Sequence, residues 1–155
     1  MTTATGSRDV PHPRALVWQA LAVLQPYCAV CDVSYVVDGS PTAGKGTRFV
    51  CVPGRLEGTP PAAGSPRGEI VEWVPRKVVG TRLELTPETW TTRIELADGE
   101  PGTTRVTITL THRARSGNRL VQRVQRGAMK RLVRQTVEAE LAKLPAHVAQ
   151  VAAAE

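Results

Sequence analysis

Aromatic residues are scarce in this chain of 155, with one Phe, two Tyr and three Trp, 4% of the total. A protein that holds single-stranded nucleic acid stacks bases on aromatics set among basic residues, and no such interleaving is present. Long apolar runs are missing too. No stretch approaches the ~20 apolar residues of a membrane span. The polar opening from Met1 to Val10 lacks the apolar centre of a signal peptide. The expected setting is cytoplasmic, with the three Cys reduced.

Few Cys and His also limit metal chemistry. Cys28-Ala29-Val30-Cys31 is a C-x-x-C, but zinc needs about four ligands. Cys51 and one of His12, His112 or His147 would have to complete the set, and there is no second closely spaced ligand pair. A redox C-x-x-C belongs at a strand-to-helix junction in a βαβ context, which the chain does not show. Cys28 and Cys31 therefore read as small buried thiols, and neither a metal nor a cofactor is expected. No Ser-His-Asp order, phosphate-binding glycine loop or paired-carboxylate motif occurs, so no catalytic mechanism can be read from motifs.

Arg, by contrast, is abundant: it supplies 16 of the 20 basic residues, and the formal net charge is +6. A basic balance favours nucleic acid or anionic surfaces as partners, but these Arg residues are spread along the whole chain. Five basic residues are ordered. Arg119, Arg123, Arg126, Lys130 and Arg134 follow at spacings of four, three, four and four, one stripe of a 3.6-residue helix. The stripe reads as a solvated outer face. Val121, Val124, Ala128 and Leu132 lie opposite, and the apolar face then drifts to Val133, Val137, Leu141, Leu144 and Val148. The long C-terminal helix is expected from about Asn118, entered through Ser116-Gly117-Asn118 with Ser or Asn as cap. Pro145 predicts a kink or stop, leaving 145–155 as a tail that can fray. Gly127 in mid-helix costs roughly 1 kcal/mol relative to Ala. With Ala128 it leaves the helix thin, which reads as a tolerated glycine or a close helix–sheet approach, or else as room left to border a hollow.

Upstream, Thr2 to Asp9 is a ragged first strand or a loose start. Arg14 to Leu24 reads as a short helix with Leu16, Val17, Ala20, Leu21 and Leu24 on one side, ended by Pro26. Tyr27 to Asp32 reads as a second short helical piece or turn. Strands follow at Ser34–Asp38, Thr47–Val52, Glu69–Val74, Val78–Leu85, Thr89–Leu96 and Thr104–Ala114, punctuated by Gly39-Ser40-Pro41, Pro53-Gly54, Pro75, Pro87 and the hairpin turn 98–102. Gly54 to Arg67, dense in Pro and Gly, reads as a long flexible loop. In the last strand Val106, Ile108, Leu110 and His112 share one parity and Arg105, Thr107, Thr109 and Thr111 the other, a half-buried antiparallel strand with one wet face. A run of strands followed by a helix indicates α+β, and the long helix is the only element large enough to cover a twisted sheet. The whole chain, 1–155, reads as one domain.

This order resembles the SRPBCC superfamily, the START-like or Bet v 1-like helix-grip fold, and within it the polyketide cyclase/dehydrase and lipid-transport group. The resemblance spans roughly Asp9 to His147. It is carried by Pro13-Arg14-Ala15-Leu16-Val17-Trp18-Gln19-Ala20-Leu21, by Gly68-Glu69-Ile70-Val71-Glu72-Trp73-Val74-Pro75-Arg76-Lys77-Val78, and by Gly102-Thr103-Thr104-Arg105-Val106-Thr107. The family's aromatic-rich segment after the first helix is replaced here by Pro26-Tyr27-Cys28-Ala29-Val30-Cys31, which alters the mouth of any cavity. The resemblance implies a strongly curved antiparallel sheet wrapped around the long C-terminal helix, with two short helices after the first strand. It also implies an internal cavity for a hydrophobic or amphipathic small molecule, which the loop Gly54 to Arg67 would cover.

The expected lining is Trp73, Trp90, Thr92, Ile94, Ile108, His112, Val124, Gly127, Ala128 and Leu132. Trp90, Thr92, Ile94 and Leu96 form the apolar parity of their strand. Glu72 shares parity with Ile70 and Val74, and Trp73 with Val71, so either set can point inward; an inward Glu72 would need a partner such as Arg93. His112 is the candidate for acid–base work at the cavity end. Three functions are compatible with these residues. They are binding of a lipid- or polyketide-like molecule, a cyclase, aromatase or dehydratase using the same cavity, and a basic adaptor or nucleic-acid binder. A monomer or a homodimer fits each.

Overall fold

A computed structural model describes residues 1–24, 27–28, 32–39, 44–85, 88–114 and 119–154, apart from the side chains at 119, 121, 122, 124 and 125. One antiparallel sheet dominates. Its strands are β1 (Thr2–Val10), β2 (Tyr27–Cys28), β3 (Val33–Val37), β4 (Arg48–Pro53), β5 (Arg67–Val74), β6 (Val78–Leu85), β7 (Glu88–Asp98) and β8 (Thr104–Ala114), with spatial order β1-β8-β7-β6-β5-β4-β3-β2. Helix α1 (Arg14–Ala22) links β1 to the far edge, and α2 (Arg119–Ala153) closes the chain. The α+β class expected from the element order is observed, and so is the helix-grip architecture that the resemblance implies.

The polar first strand is a full partner in the sheet. Thr3, Thr5 and Ser7 set their hydroxyls 3.2, 3.2 and 2.8 Å from those of Thr111, Thr109 and Thr107 on β8, a hydroxyl ladder on the wet face. On the other face of β8, Val106, Ile108, Leu110 and His112 are all buried, as their parity predicts. The β7–β8 hairpin closes through Gly102, whose φ of +78° is a conformation that glycine adopts without steric cost.

Three local expectations change. The segment beginning at Tyr27 is not helical where described: Tyr27 and Cys28 pair with Ser34 and Val33 as β2, and Asp32 takes a turn with φ +52°. The remainder of Cys28-Ala29-Val30-Cys31, including Cys31, lies outside the described residues. So do Pro26, Ser40, Pro41, Pro87 and the cap Ser116-Gly117-Asn118. Helix α1 stops at Ala22, and Val23 turns extended. Helix α2 runs through Pro145 to Ala153 rather than fraying after it. Pro145 removes one ladder hydrogen bond, but Leu141 and Leu144 before it and Val148 and Val151 after it are buried, so packing holds both sides.

The face of α2 also shifts along its length. Val133, Val137, Leu141, Leu144 and Val148 are buried, whereas Ala128 is exposed and Leu132 is 45% exposed. Arg123, Arg126, Lys130 and Arg134 are exposed, consistent with an outer basic stripe. Helix α2 packs chiefly on β1. A Cβ on Gly6 would stand 2.7 Å from Leu141 Cδ1 and 3.0 Å from Val137 Cγ1, so glycine is what lets helix and strand approach there.

Candidate functional site

Because α2 lies over the β1 end of the sheet, the concave face of the middle strands is left uncovered. The chain is poor in the large aromatics that could fill the space. A cavity of about 610 Å³ results, lined by the inner faces of β3 to β8, the end of α1 and one stripe of α2. Its volume lies within the range of small-molecule sites. The wall is mostly apolar: Phe49, Ile70, Val79, Trp90, Ile94, Ile108 and Leu110 face it from the sheet. Val23, Leu85 and Leu132 line it while remaining 46%, 38% and 45% exposed, which places them at its mouth.

Of the residues expected to line a cavity, Trp90, Thr92, Ile94, Ile108 and Leu132 do so. Trp73 points inward but is not part of the wall. It packs edge-on against Trp18, with ring centroids 5.0 Å apart, in the cluster of Phe49, Ile70 and Val79. A β-bulge between Ile70 and Glu72 decides the parity question. The inserted residue lets Ile70 and Trp73 share the inner face, while Glu72 turns outward. There Glu72 accepts two hydrogen bonds from Arg93, Nε to Oε2 at 2.9 Å and Nη2 to Oε1 at 3.2 Å. These bonds hold the Glu72 carboxyl below the usual carboxylate range, against a smaller opposing effect of burial. Arg93 also bridges to Glu95 at 2.6 Å.

His112 is buried but stands behind the cavity rather than on it. Its ring lies 4.6 Å from that of Trp90, which does line the cavity. His112 Nε2 is 3.4 Å from Glu88 Oε2, close enough for an ion pair but without hydrogen-bond alignment. Gly127 and Ala128 are exposed and absent from the wall, and a Cβ on Gly127 would meet nothing within 4 Å. The thin point of the helix therefore faces solvent. The Val124 side chain lies outside the described residues. The loop from Gly54 to Arg67 is irregular, as expected, but contributes no residue to the wall. It is tied back instead: the Gly54 N–H donates to the Asp32 carbonyl at 2.8 Å, its carbonyl accepts from Ser34 Oγ at 2.7 Å, and the Cys51 N–H donates to the Pro66 carbonyl at 2.9 Å.

On α2, sequence reasoning placed Leu132 on the wall but missed its polar part. Thr136, Glu140, Lys143 and His147 follow Leu132 at helical spacings, and all face the hollow. The signal was available, because the same arithmetic that groups the Arg stripe groups these residues. Mixed polarity disguised them as part of the solvated face. Lys143 Nζ lies 3.7 Å from Glu140 Oε1. The end of α1, Cys28 and Cys51 complete the site, and burial pushes the Cys51 thiol pKa up. Among the described residues no group of three or more His, Cys, Asp or Glu is placed to hold a metal ion, and no helix is long and apolar enough to cross a membrane.

No family model matches the sequence, and no curated protein does either. Solved structures do match the fold. A START superfamily protein from Mycobacterium smegmatis aligns at a TM-score of 0.67 with 12% identity, over 97% of this chain and 99% of that one. The Zhui aromatase/cyclase from Streptomyces sp. R1128 aligns at 0.67 with 14% identity, over 96% and 93%. Ara h 8.0201 aligns at 0.61 with 14% identity, over 96% and 97%. At these identities the likeness is one of fold, and that fold is the START-like helix grip.

Proposed function

We propose that this chain binds a small hydrophobic or amphipathic molecule, lipid- or polyketide-like, in the cavity between sheet and α2. One observation carries the reading: a mostly apolar hollow of about 610 Å³ has its charged side chains, Glu140 and Lys143, on a single stripe of α2. An apolar body would lie against Phe49, Trp90, Ile94 and Ile108, and a polar end would turn toward Thr136, Glu140 and Lys143. That division of surfaces is what small-molecule sites use for affinity and orientation. The fold shared with the START superfamily protein supports the same reading. The test is titration with anilinonaphthalene sulfonate, a fluorescent apolar probe, on the wild type and Thr92→Trp. An indole at position 92, on the inner face of β7, fills part of the hollow, so probe affinity should fall at least about tenfold, which is 1.4 kcal/mol, in a variant that stays folded by circular dichroism. Unaltered affinity in the folded variant would place the ligand elsewhere.

A second reading, an enzyme using the same cavity, is favoured by a specific feature of the wall. Two pairs of titratable groups stand there within mutual reach, Glu140 with Lys143 at 3.7 Å and Cys28 with His147 at 3.4 Å. The aromatase/cyclase among the structural neighbours is an enzyme on this fold. Turnover of a polyketide-like substrate that is lost on Glu140→Gln, with probe binding retained, would establish the enzyme over the binding protein.

A further inference from the structure

Cys28 and His147 are 119 positions apart and meet on the cavity wall. Cys28 Sγ lies 3.4 Å from His147 Nδ1. Across the ring, His147 Nε2 lies 2.6 Å from the carbonyl oxygen of Ala20. A carbonyl oxygen can only accept, so Nε2 carries a proton and donates it. That assignment leaves Nδ1 as the nitrogen that exchanges a proton with the thiol. Ala20 sits in the last turn of α1, where helix carbonyls have no N–H from a following turn to accept. Its oxygen is therefore available to fix the ring. On the other side, β2 fixes the thiol through the pairing of Cys28 with Val33. A thiol, a base within reach and an acceptor that orients the base are the three parts of an activated nucleophile.

We propose that Cys28 and His147 are a nucleophile and base that covalently capture an apolar molecule carrying an α,β-unsaturated carbonyl. This rests on the cavity being the ligand site. The apolar wall suits the chain of such a molecule, and conjugate addition suits the pair, since one group both takes the proton and returns it. The Cys28 proton passes to His147 Nδ1 as sulfur bonds to the β-carbon. The π electrons move onto the carbonyl oxygen, giving an enolate, and His147 returns the proton to the α-carbon. No group leaves and no other reactant is consumed. Lys143, one turn before His147 on the same wall, presents an ammonium to the oxygen as its charge develops.

The cavity carries its own control. Cys51 lines the same hollow, burial pushes its thiol pKa up, and among the described residues no imidazole is bonded to it. Reduced protein freed of reductant is mixed with trans-nonenal, and tandem mass spectrometry follows each cysteine. Cys28 should be modified at least about tenfold faster than Cys51, and His147→Gln should slow it by roughly a hundredfold, the scale of general-base assistance. Modification of Cys31 or Cys51 as fast as Cys28 in the wild type overturns the proposal without requiring any variant to fold. A folded His147→Gln that reacts at the wild-type rate overturns it as well. Nonanal, the saturated analogue, displacing anilinonaphthalene sulfonate reports the cavity alone. If nonanal displaces the probe while nonenal leaves Cys28 untouched, the nucleophile falls and the cavity reading stands. If neither happens, both fall.

Discussion

Gly68→Ala tests how tightly the cavity wall is built. Gly68 on β5 stands directly across from Phe49 on β4. A Cβ built on it would run into the far edge of the Phe49 ring. The backbone itself permits alanine, since Gly68 is not among the positive-φ positions. Phe49 is 4% exposed and held edge-on by Tyr35 at 5.7 Å, and it lines the cavity. The ring must give way, and the empty side is the hollow. Overpacking of this kind costs about 1–3 kcal/mol. Replacing glycine where the backbone allows it contributes about 0.4–1 kcal/mol the other way, by restricting the unfolded chain. The net is roughly 1–2 kcal/mol of destabilisation, with a fall in Tm of about 2–8 °C for a chain of this size. Urea unfolding should show a lower midpoint at unchanged slope, and the displaced ring should weaken apolar probe binding. Adding Phe49→Leu should make the alanine tolerable, a non-additivity of about 0.5–3 kcal/mol between the two sites. A Gly68→Ala protein as stable as the wild type, or strictly additive behaviour in the double variant, would refute the reasoning.

Gly127→Ala should raise stability by somewhat under 1 kcal/mol, because position 127 is exposed and open; a drop in the melting temperature would mean that the helix is packed there after all. Leu132→Ala should cost less than about 1 kcal/mol, since the side chain is 45% exposed at the cavity mouth, yet weaken probe binding; Val133→Ala, fully buried next to it, should cost about 1.5–3 kcal/mol and leave the probe alone. Equal urea midpoints for those two variants would show the helix face to be wrong. Glu72→Gln should cost about 0.2–1 kcal/mol at neutral pH, the range of exposed ion pairs. Because the folded carboxyl titrates below its usual range, its contribution is present above the ordinary carboxylate pKa and lost as pH falls through the lower folded value. The stability gap between wild type and Glu72→Gln should therefore close on acidification, and a gap that persists in acid would exclude the Arg93 pairing as its source.

The strand positions of the site were legible because a strand repeats every two residues, and a sheet with one wet face imposes that period on composition. Trp90, Thr92, Ile94 and Ile108 followed from this alone. Where the period breaks, legibility ends. Glu72 and Trp73 could not be assigned because the bulge after Ile70 resets the parity, and nothing in the residues themselves marks it. Gly127 misled for a related reason. A glycine in mid-helix records the absence of a side chain, and close packing, a hollow and open solvent leave the same trace.

Element order outside the segment that begins at Tyr27, the apolar parity of β7 and β8, the drifting face of α2 and the absence of any metal-ligand spacing or catalytic motif belong to the sequence alone. They depend on neighbours a few residues apart, whose relations the helical and extended periods determine. Tertiary structure decided where α2 crosses the sheet. That crossing decided which of its turns face the hollow, put Leu132, Thr136, Glu140, Lys143 and His147 on a wall, and left Gly127 in solvent. It also brought His147 to Cys28 and Ala20. Those contacts span more than a hundred positions, and only the packing of a helix against a concave sheet, through Gly6 on β1, fixes the register that makes them.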